Sequence, residues 1–181
     1  MAALLKRALG SCLLLASLAI AGCATPPRSD GGEVLSGRLS IQVEATPGRT
    51  EQRFTAAFDL TGTAEQGRLQ LSSPLGVAMA SAQWDAGEAR LITPDGERRF
   101  PDLDSLSREA LGESLPLRAL PDWLNARPWP AAPSRPLPAN ASGFEQLDWQ
   151  VDLSRYDQGW VRAERRQPSS VVLRVRLDAK P

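Results

Sequence analysis

Apolar and polar residues alternate with a period of two along most of the chain. The clearest series occupy residues 39–43, 54–60, 69–71, 75–79, 147–153 and 171–177. This period is typical of strands that bury one face and expose the other. Turn residues separate the series, and Asp95 and Gly96 indicate a tight hairpin between residues 91–92 and 98–100. The pattern predicts an antiparallel sheet with one buried face.

Two segments in the middle of the chain have helical spacing instead. The apolar positions of the first are Leu103, Leu106, Ala110 and Leu111. They predict a helix over residues 102–112, ended by Gly112. A second short helix is predicted for residues 117–124, with Pro121 in its first turn. Five prolines in residues 128–138 predict a long rigid loop. The order of strands, helices and strands predicts a mainly β (α+β) domain, with short helices packed on the concave side of a curved sheet.

The N-terminus has the organisation of a bacterial signal peptide. Lys6 and Arg7 form a basic start, and an apolar stretch follows over residues 8–21. This stretch is shorter than the roughly twenty apolar residues that a membrane-spanning helix needs. Residues 20–23 read Ile-Ala-Gly-Cys and resemble the lipobox of bacterial lipoproteins, whose cysteine receives a diacylglycerol and becomes the first residue after cleavage. An ordinary secretory signal with a chance cysteine is the alternative.

The lipobox implies a division of the chain into three parts. Residues 1–22 are the expected signal peptide, residues 23–34 hold the lipidated Cys23 and a flexible tether rich in Pro and Gly, and residues 35–181 form one domain. In the bacterial lipoproteins that this segment resembles, an aspartate after the cysteine retains the protein on the inner membrane. Ala24 stands at that position here, which implies the outer membrane.

Charge and cysteine content narrow the classes of partner. The chain has 21 basic and 21 acidic residues. Without Lys6 and Arg7 of the signal peptide the basic count falls to 19, which leaves the mature side chains at −2. This balance argues against nucleic acid as a partner and gives no electrostatic reason to bind anionic lipid. Cys12 is lost with the signal peptide and Cys23 is acylated, so no disulfide is expected.

The sequence lacks the residue types that most enzyme sites need. It contains no histidine, which removes Ser–His and Cys–His nucleophile pairs and histidine metal ligands. It also contains no glycine-rich phosphate loop and no calcium-loop pattern. The carboxylate pairs Asp102/Asp104 and Glu109/Glu113 are better explained as helix caps and a solvated helix face. We therefore predict a protein that is not an enzyme and that uses no cofactor or metal.

Five short motifs follow one another along the domain. They are Gly-Arg-Leu-Ser-Ile at 37–41, Leu-Gln-Leu-Ser-Ser-Pro-Leu-Gly at 69–76, Leu-Gly-Glu-Ser-Leu-Pro-Leu at 111–117, Leu-Pro-Asp-Trp-Leu at 120–124 and Gln-Leu-Asp-Trp at 146–149. Behind a lipobox, this order and spacing resembles the LolB family of outer-membrane lipoprotein receptors, over essentially the whole mature domain. The sequence departs from the family at four places. Phe58-Asp59-Leu60 stands where the family has a tryptophan, a C-terminal tryptophan is missing, Asp148 replaces a common glycine, and residues 125–127 stand where the family often has a glycine.

The resemblance implies a fold, a function and partners. The fold would be an incomplete antiparallel β-barrel closed by helices that enclose an apolar cavity. The protein would accept lipoproteins from the periplasmic carrier LolA by binding their acyl chains, and would release them into the outer membrane. Leu75, in the loop Pro74-Leu75-Gly76, would take part in insertion into the lipid. The chain would be a monomer, anchored through Cys23 on the periplasmic face of the outer membrane, with LolA, lipoprotein cargo and outer-membrane lipid as partners.

The inner face of such a half-barrel supplies candidates for the lining of the cavity. They are Leu39, Phe54, Phe58, Leu71, Leu106, Leu120, Trp123, Trp149, Val151, Leu173 and Val175. Burial of methylenes against these side chains would give affinity for acyl chains without demanding one chain length. The alternative is that the same residues form a filled core, in which case the protein is a structural or assembly lipoprotein with no role in lipid transfer.

Overall fold

The computed structural model describes residues 34–45, 47–48 and 50–179. Within them, eleven strands form one antiparallel sheet in the order β6-β5-β4-β3-β2-β1-β11-β10-β9-β8-β7. The strands are β1 (Leu35–Val43), β2 (Gln52–Gly62), β3 (Gly67–Ser72), β4 (Ala78–Trp84), β5 (Ala89–Thr93), β6 (Gly96–Phe100), β7 (Ser134–Pro136), β8 (Gly143–Gln146), β9 (Trp149–Asp152), β10 (Trp160–Arg165) and β11 (Val171–Leu177). β6 and β7 remain as free edges, so the curved sheet is an incomplete barrel. The predicted mainly β architecture is confirmed.

The centre of the sheet follows directly from the alternating sequence pattern. β1 pairs with β2 on one side and with β11 on the other, so the two halves of the chain meet at this strand. Leu39, Ile41 and Val43 of β1 are buried, whereas Arg38, which precedes them, is exposed. All elements belong to the compact unit Gly32–Pro181. Because this unit has its own apolar core, we expect it to fold without the preceding residues.

Two α-helices lie between β6 and β7, where the sequence predicts them. α1 (Leu103–Leu111) ends at Gly112, whose left-handed backbone (φ 69°) lets its N–H donate to the carbonyl of Arg108. α2 (Leu120–Leu124) is buried along its whole length, and Pro121 lies in its first turn as predicted. No helix in the described part of the chain is long and apolar enough to cross a membrane.

Asp102 caps the start of α1. Its Oδ1 accepts a hydrogen bond of 2.6 Å from the backbone N–H of Ser105, and the hydrogen bonds from Ser105 lower the pKa of the Asp102 carboxyl. Asp102→Ala should therefore lower the free energy of unfolding by about 1 kcal/mol at neutral pH. The contribution is present above the unfolded pKa and is lost as the pH falls through the lowered folded pKa. The measurement is denaturant unfolding at neutral pH and at a pH below the folded pKa of Asp102, with Asp95→Ala as the control. Equal loss of stability in the two variants at neutral pH would contradict the cap.

Two of the predicted strands were wrong in detail. Residues 147–153 were expected to form one strand, but Leu147 and Asp148 (φ 54° and 63°) form the turn of a hairpin between β8 and β9. A two-residue turn preserves the period of two, so the pattern cannot distinguish the hairpin from a single strand. Residues 75–79 were also expected to be a strand, but β4 begins at Ala78 and Met79 is exposed.

Other strands carried no sequence signal. β10 has only two buried positions, Val161 and the small Ala163, and β7 lies within the proline-rich segment that predicted a loop. β7 is an edge strand, where proline is tolerated because one side of the strand has no partner. Both strands extend the sheet beyond β11 and complete the second half of the curved wall.

Candidate functional site

An open pocket lies between the concave face of the sheet and the helical segment. Its volume is about 370 Å³, within the range of small-molecule sites. The apolar lining consists of Leu39, Ile41, Phe54, Leu69, Leu71, Ala80, Ala82, Leu91, Leu106, Ala110, Leu111, Leu115, Pro116, Leu117, Leu120 and Leu173. Polar groups come from only four side chains, which are Thr93, Arg98, Ser107 and Glu109.

Small residues help to leave this space open. Ala80 and Ala82 of β4 face the pocket, on the wall opposite the leucines of α1 and of the segment that follows it. An alanine reaches less far from the sheet than the leucines on either side, so the wall is recessed at β4. Neither residue was predicted at the site, because the alternation in this region was assigned to Leu75, Val77 and Met79. The inward set is instead the even-numbered one, which ends at the buried Trp84.

The structure separates the predicted lining residues into two groups. Six of them line the pocket, and these are Leu39, Phe54, Leu71, Leu106, Leu120 and Leu173. The other five lie in the packed core, each no more than 2% exposed, and these are Phe58, Trp123, Trp149, Val151 and Val175. The pocket therefore occupies the β1–β6 side of the interior, next to a filled region around Trp123.

The filled region is organised around a buried glutamine. Gln146 of β8 is 3% exposed, and its Oε1 accepts hydrogen bonds from Trp123 Nε1 (2.8 Å) and the Trp129 backbone N–H (2.9 Å). Its Nε2 donates to the carbonyls of Trp129 and Ala132, both at 2.8 Å. One side chain thus joins α2 and the proline-rich segment to the sheet. Sequence patterns did not indicate this role, since a glutamine at a strand end is usually exposed.

A second polar contact fixes the segment between α1 and α2. Arg165 of β10 forms an ion pair of 2.5 Å with Glu113, and the two side chains are 11% and 13% exposed. Arg165 also donates to the carbonyl of Ser114 and lies over the ring of Trp149, with 5.4 Å between its Cζ and the ring centroid. Because Leu115 to Leu117 line the pocket, this contact holds one wall of the pocket against the sheet.

The rim of the pocket is bridged by an exposed ion pair. Arg98 of β6 and Glu109 of α1 approach to 2.9 Å, with side chains 56% and 55% exposed. Exposed pairs of this kind contribute at most about 1 kcal/mol. The bridge therefore contributes little to holding α1 against β6.

The loop between β3 and β4 presents an exposed leucine. Leu75 is 92% exposed, and Val77 beside it is 65% exposed. The loop is closed on itself by hydrogen bonds from Ser73 N–H to the carbonyl of Val77 and from Gly76 N–H to the carbonyl of Ser73, both 2.8 Å. Gly76 has φ 81°, a backbone conformation that suits glycine. The backbone thus holds Leu75 outward, in the loop Pro74-Leu75-Gly76 that the resemblance implied.

The loop and the pocket are adjacent along the chain. Leu71, just before the loop, and Ala80, just after it, both line the pocket. The predicted lipidation site Cys23 lies outside the described residues. Among the residues that are described, no group of three or more Asp, Glu, Cys or His side chains is placed to hold a metal ion.

The sequence is similar to one family of known proteins. The family model described as "Outer membrane lipoprotein LolB" matches residues 34–180. The outer-membrane lipoprotein LolB of Bordetella petrii is 34% identical over 178 residues, covering 94% of this chain and 88% of the relative. Those of Ralstonia nicotianae and Chromobacterium violaceum are 35% and 31% identical, covering 83% and 79% of this chain and 79% and 81% of the respective relatives. The chain therefore belongs to the outer-membrane lipoprotein LolB family.

Proposed function

We propose that this protein is an outer-membrane-anchored receptor that accepts lipoproteins from the periplasmic carrier LolA and inserts them into the outer membrane. The observation that carries the proposal is the apolar pocket between the sheet and α1, placed directly beside a loop with an exposed leucine. The pocket would take the acyl chains of the cargo, and the loop would meet the lipid.

The pocket has the chemistry that acyl chains require. Its base consists of aliphatic and aromatic side chains, and its charged groups, Arg98 and Glu109, pair with each other at the rim. Each methylene transferred from water to such a lining contributes about 0.8 kcal/mol. Affinity would then grow with the length of chain buried and would not depend on the protein part of the cargo.

Transfer of this kind requires no chemical reaction. The carrier releases its cargo if the receptor binds the same acyl chains more tightly, so the direction is set by the difference between two affinities. The membrane then competes with the receptor, because it offers the chains complete burial. We propose no catalytic residue, cofactor or nucleotide for either step.

Leu75 is proposed to act in the release step. A leucine that enters the hydrocarbon region gains about 1.5–3 kcal/mol from burial, which would bring the β3–β4 loop into the membrane beside the pocket. The anchor at Cys23 would supply the lasting attachment. More than one acyl chain is needed there, since a single chain gives only marginal binding.

Leu75→Glu should leave cargo acceptance unchanged and reduce release into vesicles by at least about tenfold, because a charged side chain opposes entry into hydrocarbon. Acceptance is measured by transfer from LolA in solution, and release by transfer from the loaded receptor to vesicles. Leu147→Glu is the matched control, since Leu147 is also exposed but lies in the β8–β9 turn. Normal release by Leu75→Glu would show that the loop has a different role.

The alternative is a scaffold lipoprotein whose interior does not bind lipid. The two proposals differ in the pocket, so we compare them with an apolar fluorescent probe added to residues 24–181 of the chain, which lack Cys23. The receptor proposal expects saturable binding that a free fatty acid displaces. A protein that binds no probe and takes no lipoprotein from loaded LolA would leave only the scaffold.

A further inference from the structure

Arginines are concentrated on the outer face of the sheet, at β1, β11 and β10. Arg38 of β1 stands directly opposite Arg176 of β11, and Arg174 of β11 stands directly opposite Arg162 of β10. Their neighbours Leu39, Leu173 and Val175 are buried on the inner face. The alternation of the strands therefore places these four arginines on the same outer surface, together with Ser40, Gln42 and Glu164.

Most of these arginines have no acidic partner. Arg162 pairs with Glu164 at 2.6 Å. Arg38, Arg174 and Arg176 form no ion pair with any described residue. Like charges directly opposite each other on neighbouring strands destabilise a sheet. The pairing of Arg38 with Arg176, and of Arg174 with Arg162, is thus unfavourable for the stability of the sheet.

A tryptophan lies within the same surface. Trp160 of β10 is the strand partner of Arg176, and the guanidinium carbon of Arg176 is 5.4 Å from the centroid of its ring. Arg155 approaches the same ring, at 5.6 Å. A half-buried tryptophan flanked by arginines is the combination that favours the headgroup region of a membrane, where the ring meets apolar material and the guanidinium groups meet phosphate.

We define the arginine–tryptophan patch as Arg38, Arg155, Arg174, Arg176 and Trp160. Acidic groups lie at both margins of the patch: Asp59 and Asp178 beside Ser36 at the start of β1, and Asp152 and Glu164 beside Arg162 of β10. Arg38, Arg174 and Arg176 lie between these margins, on β1 and β11. The centre of this face thus presents three guanidinium groups that form no ion pair with a described residue.

We infer that the arginine–tryptophan patch binds the phosphate headgroups of an anionic lipid membrane and so orients the domain on the membrane to which it is tethered. The inference rests on the proposed function, which places a lipid anchor at Cys23. Ten residues separate Cys23 from Val34, and a chain of that length spans at most about 35 Å. Val34 precedes β1, which carries Arg38. The patch therefore lies near the point where the tether joins the domain.

The experiment measures flotation of residues 24–181 with vesicles, so that no acyl anchor masks the contact. Vesicles of phosphatidylcholine are compared with vesicles that also contain phosphatidylglycerol. We expect binding only to the anionic vesicles, and the triple variant Arg38→Gln, Arg174→Gln, Arg176→Gln should bind them about 100-fold more weakly, or about fivefold per arginine. Binding of the unaltered chain should also weaken as salt screens the contact.

The matched control carries the same change in charge elsewhere. Arg108→Gln, Arg118→Gln, Arg135→Gln removes three exposed arginines from α1, the segment between the helices, and β7, and it should bind anionic vesicles as the unaltered chain does. The patch variant should keep its thermal stability, because it loses like-charge repulsion. An unchanged melting temperature would show that the variant is folded.

Three results would overturn the inference. The first is equal binding of the patch variant and the unaltered chain to anionic vesicles. The second is equal binding of the unaltered chain to neutral and anionic vesicles. The third is a patch variant that binds vesicles normally but takes less cargo from LolA, which would assign the patch to a protein partner.

Binding of the apolar probe in the same preparations separates the two proposals. A chain that binds the probe but not anionic vesicles contradicts this inference alone, and a chain that binds anionic vesicles but not the probe contradicts the proposed function alone.

Discussion

Replacing Gln146 with leucine should lower the free energy of unfolding by about 3–5 kcal/mol. Leucine has a similar size but cannot form the hydrogen bonds that join Gln146 to Trp123, Trp129 and Ala132. The indole N–H, a backbone N–H and two carbonyls would lose their partner in or near the core, and each buried group without a partner costs about 1–3 kcal/mol. The melting temperature should fall by about 10 °C.

Gln150→Leu is the matched control for this prediction. Gln150 lies on the neighbouring strand β9 and is exposed, so the same substitution of glutamine by leucine is made there at the surface. We expect its free energy of unfolding to change by less than about 0.5 kcal/mol. Equal stability of the two variants in urea would mean that Gln146 does not hold α2 and the proline-rich segment on the sheet.

Replacing Ala80 with tryptophan should weaken binding of an apolar ligand by about 50-fold. The indole would extend from β4 into the pocket and take the space of about three methylenes of a bound chain, each of which contributes about 0.8 kcal/mol. The cost to stability should be smaller, about 1–3 kcal/mol, because the new side chain enters a space that is already open.

Ala57→Trp is the control for the pocket variant. Ala57 lies on β2, in the strand position that faces away from the buried Ala56 and Phe58. The same substitution there adds the same bulk on the outer face, and we expect probe binding to stay at the level of the unaltered chain. Titration of the apolar probe into both variants measures the difference. Equal affinities would place the ligand outside the pocket.

The sequence predicted the architecture because most strands bury one face. β1, β2 and β11 sit at the centre of the sheet, and their alternating residues match the structure. Asp102 and Gly112 likewise predicted α1 correctly, because capping is a local property of the chain. The prediction was wrong at β4 because Leu75 and Val77 continue the alternation of the outer face into a loop, where no burial selects the apolar side.

The site was only partly predictable for a different reason. Period two identifies which residues face inward, but the space between them depends on how α1 and the following segment pack against β4. The pattern thus could not show that Leu71 would border a pocket whereas Trp149 would be packed. The hydrogen-bond partners of Gln146 lie 14 to 23 residues away in the sequence, and those of Arg165 lie 51 to 52 residues away, apart from Ser169. Contacts at that separation leave no local signal.

Transfer of a lipoprotein from LolA is the most direct test of the central claim. LolA loaded with a labelled lipoprotein is mixed with residues 24–181 of this chain, and the label on each protein is measured after separation. We predict that the unaltered chain and Ala57→Trp take the lipoprotein from LolA, and that Ala80→Trp leaves most of it on the carrier. Complete transfer to Ala80→Trp, or no transfer to the unaltered chain, would contradict the account.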